Sequence, residues 1–111
     1  MGIAQEAEVF AKIQAVLDTV DPNKPDRKVV HVFKIKISQN GEVVKTMILD
    51  LVKIKFYEGD DEAECTLTIP DDILADVVLN KAETTGLITS GKVAVDGDVE
   101  LAKLLGATLS S

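Results

Sequence analysis

Glu64-Cys65-Thr66-Leu67-Thr68-Ile69-Pro70-Asp71-Asp72-Ile73-Leu74-Ala75-Asp76-Val77-Val78-Leu79 is the stretch on which the fold turns, because two periodicities meet in it. Its first half alternates. Cys65, Leu67 and Ile69 point one way and Glu64, Thr66 and Thr68 the other, the period of two of a half-buried strand. At Pro70 the period changes: proline suits the first turn of a helix, and Asp71 and Asp72 meet the positive end of its backbone dipole. Ile73, Leu74, Ala75, Val77, Val78 and Leu79 then leave Asp76 as the interior polar residue, so apolar side chains surround most of the axis. A helix of that kind needs cover on more than one side.

Upstream, Val29 to Tyr57 reads as strand, tight turn, strand, short turn, strand. Asn40-Gly41 is a hairpin signal, since both central residues of a type I′ turn need positive φ. A two-residue turn there sets an expected register. Ile37, Ile35, Phe33 and His31 then face Val44, Thr46, Ile48 and Asp50, with Lys36 opposite Lys45 on the other side. Val30, Val32, Met47, Leu49 and Leu51 form an aliphatic area at the far end of that side. A third strand is expected over Val52 to Tyr57, with Gly59 to Ala63 turning into the strand that ends at Pro70.

Nearer the N-terminus, Val9, Phe10, Ile13, Val16, Leu17 and Val20 recur at three- and four-residue steps opposite Glu6, Glu8, Lys12, Gln14 and Asp18. This predicts an amphipathic helix from about Gln5 to Val20. Two prolines in Asp21 to Lys28 make that stretch a loop, and it gathers Lys24, Arg27 and Lys28. Past Leu79, Asn80 to Gly91 carries weak helical signals, Lys92 to Asp96 reads as a fifth strand, and Gly97-Asp98 opens a last helix with Glu100 and Lys103 as its polar residues. Strands and helices do not alternate throughout. The expected class is α+β, a largely antiparallel five-stranded sheet with helices on one face.

The chain has 111 residues, enough for one domain spanning residues 1–111. Its formal net charge of -7 argues against nucleic acid and against general attraction to anionic bilayers, both of which need a basic footprint. No apolar run approaches the roughly 20 residues of a membrane span, Met1 to Glu8 lacks the pattern of a secretory signal, and Glu6 stands where a myristoylation site prefers Ser or Thr. A single cysteine makes no internal disulfide, so the expected setting is the cytoplasm.

Individual residues offer little catalysis. His31 facing Asp50 would make two members of a triad, but no Gly-x-Ser-x-Gly elbow supplies a nucleophile, and a hydrogen-bonded structural pair is the plainer reading. Cys65 lies on the inward side of its strand, where it serves as a small hydrophobe. Asp60, Asp61 and Glu62 lack calcium-loop spacing and read as a solvated turn. No metal site, phosphate loop or cofactor is expected. What remains is two helices apolar on most sides, an interior with three Phe and one Tyr, and a basic cluster after the first helix. Two readings stay open on the residues alone: helices that pack on each other or on a protein partner, and a cavity that holds an aliphatic ligand.

Glu8 to Ile13, Asp21-Pro22, His31 to Lys34, Gly41 to Lys45, Asp50-Leu51, Glu64 to Thr68 and Val95 to Leu101 together resemble the sterol carrier protein type 2 family, in particular its small single-domain insect members. The likeness covers nearly the whole chain in the family's order. It implies a five-stranded sheet covered on one face by about four to five helices, with an apolar lipid tunnel between the layers. It implies a non-enzymatic intracellular carrier of long-chain fatty acid such as palmitate, or of sterol, acting as a monomer or weak homodimer with transient membrane contact. For the fatty-acid carboxylate the matching positions are Asp21, Arg27, Lys28 and the backbone at Val29. The tunnel wall carries over as Ile13, Val16, Val20, Leu49, Leu51, Ile69, Leu74, Val77 and Leu105. Two departures stand out. Val16 replaces an arginine of an insect member, implying a less polar head-group end, and Gly106-Ala107-Thr108 replaces bulkier residues, implying a shorter or looser lid.

Overall fold

The computed structural model describes residues 3, 5–19, 31–80 and 82–109. Its elements run α1 (Glu6–Asp18), β1 (Val32–Gln39), β2 (Glu42–Asp50), β3 (Lys55–Glu58), β4 (Cys65–Pro70), α2 (Asp71–Leu79), α3 (Thr84–Thr89), β5 (Ala94–Asp96) and α4 (Val99–Leu109). Five strands form one sheet in the order β3-β2-β1-β4-β5.

Asn40 and Gly41 adopt φ of 53° and 84°, so the tight turn forms as their chemistry demands. The register does not follow from it. Gln39 pairs with Glu42 and Ser38 with Val43, but Ile37 then lies opposite Lys45, leaving Val44 as the extra residue of a bulge. With a side-chain period of two, one extra residue moves everything beyond it to the other face. Met47 and Leu49 therefore pair with Ile35 and Phe33 on the inner face, beside Leu67 and Cys65 of β4. Lys36 faces Thr46 rather than Lys45, and Asp50 faces Val32 rather than His31, correcting both expected pairings. Energy explains the shift. The unbulged register would leave Met47, Leu49 and Leu51 apart from the core, and burying each is worth about 1.5–3 kcal/mol; all three are buried.

The bulge also delivers Lys45 to the inner edge of the sheet. Its Nζ lies 3.0 Å from Glu6 Oε1 and 5.5 Å from the centroid of the Phe10 ring. Phe10 meets Phe56 of β3 edge-on, with ring centroids 5.3 Å apart at 77°. These contacts fasten the first turns of α1 over β2 and β3.

Val52 does not begin the third strand. Asp50 Oδ1 accepts hydrogen bonds from the amides of Val52 and Lys53, each 2.9 Å, and folds Leu51–Ile54 into a turn that delays β3 to Lys55. After β3 the chain crosses the outer face, where Asp60 pairs with Lys34 at 2.7 Å. It then docks β4 on the free edge of β1. β4 runs parallel to β1, so the sheet is mixed, and the other three pairings are antiparallel.

Pro70 closes β4 in extended conformation and caps α2. Asp71 reaches back to β1, accepting from Gln39 Nε2 at 2.8 Å. On α2, Leu74, Ala75, Val77 and Val78 are buried, as its nearly all-round apolar surface requires. The core fills the space between the inner sheet face and α1, α2 and α4. The weak signals after Asn80 resolve into the six-residue α3, which packs against α4.

Candidate functional site

Between the inner face of the sheet and the helices lies an apolar cavity of about 20 Å³. β1 and β4 supply its floor as Ile35, Leu67 and Ile69. Leu74 and Val77 of α2, Thr84 of α3, Val93 ahead of β5, and Leu105 and Gly106 of α4 supply walls and roof. These residues meet because the alternation of β4 and the helical period of α2 both turn their apolar side to one place, and α3 and α4 close over it.

Gly106 sets how closely the roof can pack. A Cβ added there would lie 2.1 Å from Thr84 Oγ1 and 2.4 Å from Thr84 Cβ, so only glycine lets α3 and α4 approach this far. Thr84 is buried, and its hydroxyl has no hydrogen-bond partner among the described residues.

Of the positions expected in the tunnel wall, Ile69, Leu74, Val77 and Leu105 line this cavity. Ile13, Leu49 and Leu51 are buried in the continuous core away from it, and Val16 is buried on the inner side of α1. Val20 lies outside the described residues, as do all four head-group positions, Asp21, Arg27, Lys28 and Val29. Among the described residues, the apolar space between the layers is this cavity of about 20 Å³ rather than the expected elongated tunnel. Ile35, Leu67, Thr84 and Val93 complete the wall without having been named for it, together with Gly106, which the sequence marked only as a departure in the last helix. Alternation could have supplied Ile35 and Leu67. No local signal marks Thr84, whose role depends on a glycine 22 positions away in sequence.

A larger concavity of about 490 Å³ lies over Val32, Lys34, Glu62, Ala63, Glu64 and Thr66. It is an open trough with charged edges on the outer face, poorly suited to hydrocarbon. At its rim His31 Nδ1 pairs with Glu64 Oε2, not with Asp50. Asp50 is engaged in the β2–β3 turn, so the expected dyad does not form. Lys34 holds the Asp60 carboxyl below the usual carboxylate range through a hydrogen bond and its charge. Cys65 is 1% exposed, and burial pushes its thiol up, aided by the carboxylates of Asp98 and Asp96. That is the opposite of what a thiolate nucleophile needs.

The sequence model of the SCP-2 sterol transfer family matches residues 11–110. The chain belongs to this family. Sterol carrier protein-2 of Aedes aegypti, solved in complex with C16 fatty acid (palmitate), is 40% identical, covers 98% of this chain and 96% of its own, and superposes with a TM-score of 0.82. Palmitated SCP2L2 of Aedes aegypti is 27% identical over 91% of this chain and 90% of its own, with a TM-score of 0.74. Sterol carrier protein-2 like-3 of the same mosquito, 21% identical over 96% of each chain, shares the fold at a TM-score of 0.83. The region matching the SCP-2 sterol transfer family contains every residue of the cavity wall.

Proposed function

We propose that this chain is a non-enzymatic carrier of long-chain lipid, with fatty acid such as palmitate as the first cargo and sterol as the second. The observation that carries this reading is the apolar cavity between sheet and helices, in a chain whose family is built around lipid transfer. Two relatives that were solved with palmitate support the cargo class. In this reading the hydrocarbon occupies an enlarged form of the cavity. The carboxylate stays near the loop after α1, where Arg27 and Lys28 supply positive charge in a chain of net charge -7 and Asp21 and the Val29 backbone complete the head-group site. Carriage takes place in the cytoplasm, by a monomer or weak homodimer that touches membranes while loading and unloading.

Magnitudes favour a mechanism led by the tail. Burying about fifteen methylenes at ~0.8 kcal/mol each yields on the order of 12 kcal/mol gross. Association and ordering take back roughly 4–15 kcal/mol. A shielded arginine–carboxylate hydrogen bond adds about 1.5–3 kcal/mol. The tail therefore decides whether a lipid binds, and the loop decides which end faces out.

Native mass spectrometry of the protein mixed with palmitate is the direct test. A one-to-one complex that competes with sterol is expected; no complex at lipid concentrations in the tens of micromolar would refute the reading. The head-group assignment has its own check: Arg27→Ala should weaken palmitate more than the alcohol of equal length. Equal losses would remove the loop from that role.

A further inference from the structure

β2 is nine residues long, and the strand on its outer side covers only part of it. β3 pairs with Met47 to Asp50, and the amide of Gly59 then donates to the Thr46 carbonyl at 3.1 Å. Among the described residues, no strand pairs with that side of Glu42-Val43-Val44-Lys45. Where β3 stops, this edge borders an open concavity of about 350 Å³, with residues 43–46 on one bank and residues 58–60 on the other. Val43 and Val44 are each 49% exposed, the most exposed large apolar side chains among the described residues. An uncovered edge offers its backbone N–H and C=O groups to another strand, and proteins commonly guard it with charge, proline or a bulge. Two adjacent valines favour pairing instead.

Charge says which strand fits. Laid antiparallel against a second copy of itself, Glu42-Val43-Val44-Lys45 sets Glu42 opposite Lys45 and Val43 opposite Val44, twice over about a two-fold axis. Directly opposed residues share a face of the sheet, and residues three apart on a regular strand do not. The bulge supplies the exception. Glu42 pairs with Gln39 and Lys45 with Ile37, and those two β1 residues are two apart, so Glu42 and Lys45 stand on the same face. Glu42 is exposed, and the Lys45 ammonium, with three donors, has hydrogens left after its bond to Glu6. We propose that this edge is the contact between two copies of the chain, with the two β2 strands paired antiparallel and Glu42 of each copy bonded to Lys45 of the other. The contact joins the two sheets edge to edge and goes beyond the carrier reading, on which it does not depend. Four residues a side make a small interface, so the dimer is weak, with a dissociation constant of about 10 µM to 1 mM.

Sedimentation equilibrium of the lipid-free chain, from about 10 µM to 1 mM, tests the contact on wild type, Glu42→Lys and Lys45→Glu. Wild type should pass from monomer to dimer across this range. Each single variant places like charges opposite each other and should dimerise at least about tenfold more weakly. An equimolar mixture of the two variants should recover a dimer about as tight as wild type, because one copy then presents two positive charges to two negative ones. Should Lys45→Glu misfold through loss of its bond to Glu6, Val44→Lys, at an exposed position on the same edge, takes its place and should also weaken the dimer about tenfold. Wild type that stays monomeric throughout overturns the proposal. So does a dimer that the edge variants leave unchanged, which puts the contact elsewhere, and a mixture no tighter than its components, which removes the pairing of Glu42 with Lys45.

Discussion

Replacing Gly106 by alanine tests the close approach of α4 to α3. On an exposed helix this change stabilises by up to about 1 kcal/mol through helix propensity. Here the new Cβ would lie 2.1 Å from Oγ1, 2.4 Å from Cβ and 2.7 Å from Cγ2 of Thr84. Relief cannot come from rotating one side chain, because the Thr84 Cβ itself is too near, so α3 must move away from α4. Overpacking of this kind typically costs about 1–3 kcal/mol. With three atoms in collision the upper end of that range applies, and after the propensity gain a net loss of about 1–2 kcal/mol remains. For 111 residues, 1 kcal/mol corresponds to about 4 °C in melting temperature, so Gly106→Ala should melt about 4–9 °C below wild type. Circular dichroism of the lipid-free protein would measure it. Gly86→Ala, on α3 with nothing within 4 Å of its added Cβ, is the control and should melt at or slightly above wild type. The cycle closed with Thr84→Gly should show a coupling of at least ~1 kcal/mol, since removing the Thr84 side chain removes the atoms with which the added Cβ collides. A Gly106→Ala variant melting as high as wild type would refute the close packing of α3 on α4 and the position of the Thr84 hydroxyl with it.

Tyr57, the single tyrosine, donates to Asp61 at 2.9 Å, and that bond followed by burial and the Asp61 charge raises its pKa. A raised pKa means stability present below the unfolded value and lost as pH climbs through the folded one. Phenolate absorbance should therefore rise at higher pH than in the unfolded chain, and Asp61→Ala should bring the midpoint down; an unmoved midpoint would show the bond is not made in solution. Asp60 is the mirror case: Lys34 depresses its pKa, so its contribution is present above the unfolded value and fades as acid passes the folded one. Lys34→Gln should raise the Asp60 midpoint in a carboxyl NMR titration, and no change would break the crossing loop from the outer face. Cys65, buried and with its thiol pKa raised, should react with a disulfide reagent at least a hundredfold more slowly than free cysteine at the same pH, and reaction at the free rate would place it outside the core.

The strand and helix of Glu64 to Leu79 were legible because both of their periods are local: alternation puts Cys65, Leu67 and Ile69 inward, and Leu74 and Val77 follow on the helix that covers them. The Asn40-Gly41 turn was legible for the same reason. The register beyond it was not, because turn chemistry fixes two pairs and the energy of burying Met47, Leu49 and Leu51 fixes the rest, with Val44 absorbing the difference. Parallel pairing of β1 with β4 escaped alternation as well, since direction depends on which sheet edge is free after two antiparallel connections. Ile69, Leu74, Val77 and Leu105, which chain-wide resemblance offered as tunnel wall, lie on the cavity wall, whereas Thr84 and Gly106 acquire meaning only from each other.

That pair also bears on how a lipid could enter. A C16 chain brings about fifteen methylenes, whereas the cavity of about 20 Å³ has room for roughly one water-sized group. Loading must therefore pull the packed layers away from each other, and the sheet is the costlier one to open because its strands are joined by continuous backbone ladders. The helical roof is cheaper. α3 has six residues, and α4 leaves Val99 and Leu104 40% and 39% exposed, so neither is gripped on all sides. Lifting them uncovers Ile35, Leu67 and Ile69 along the sheet floor and frees Thr84 from Gly106 in the same motion. Hydrogen exchange should then be fastest in α3 and α4 of the lipid-free protein and fall most in those helices when palmitate binds. Protection confined to the sheet would place the opening elsewhere.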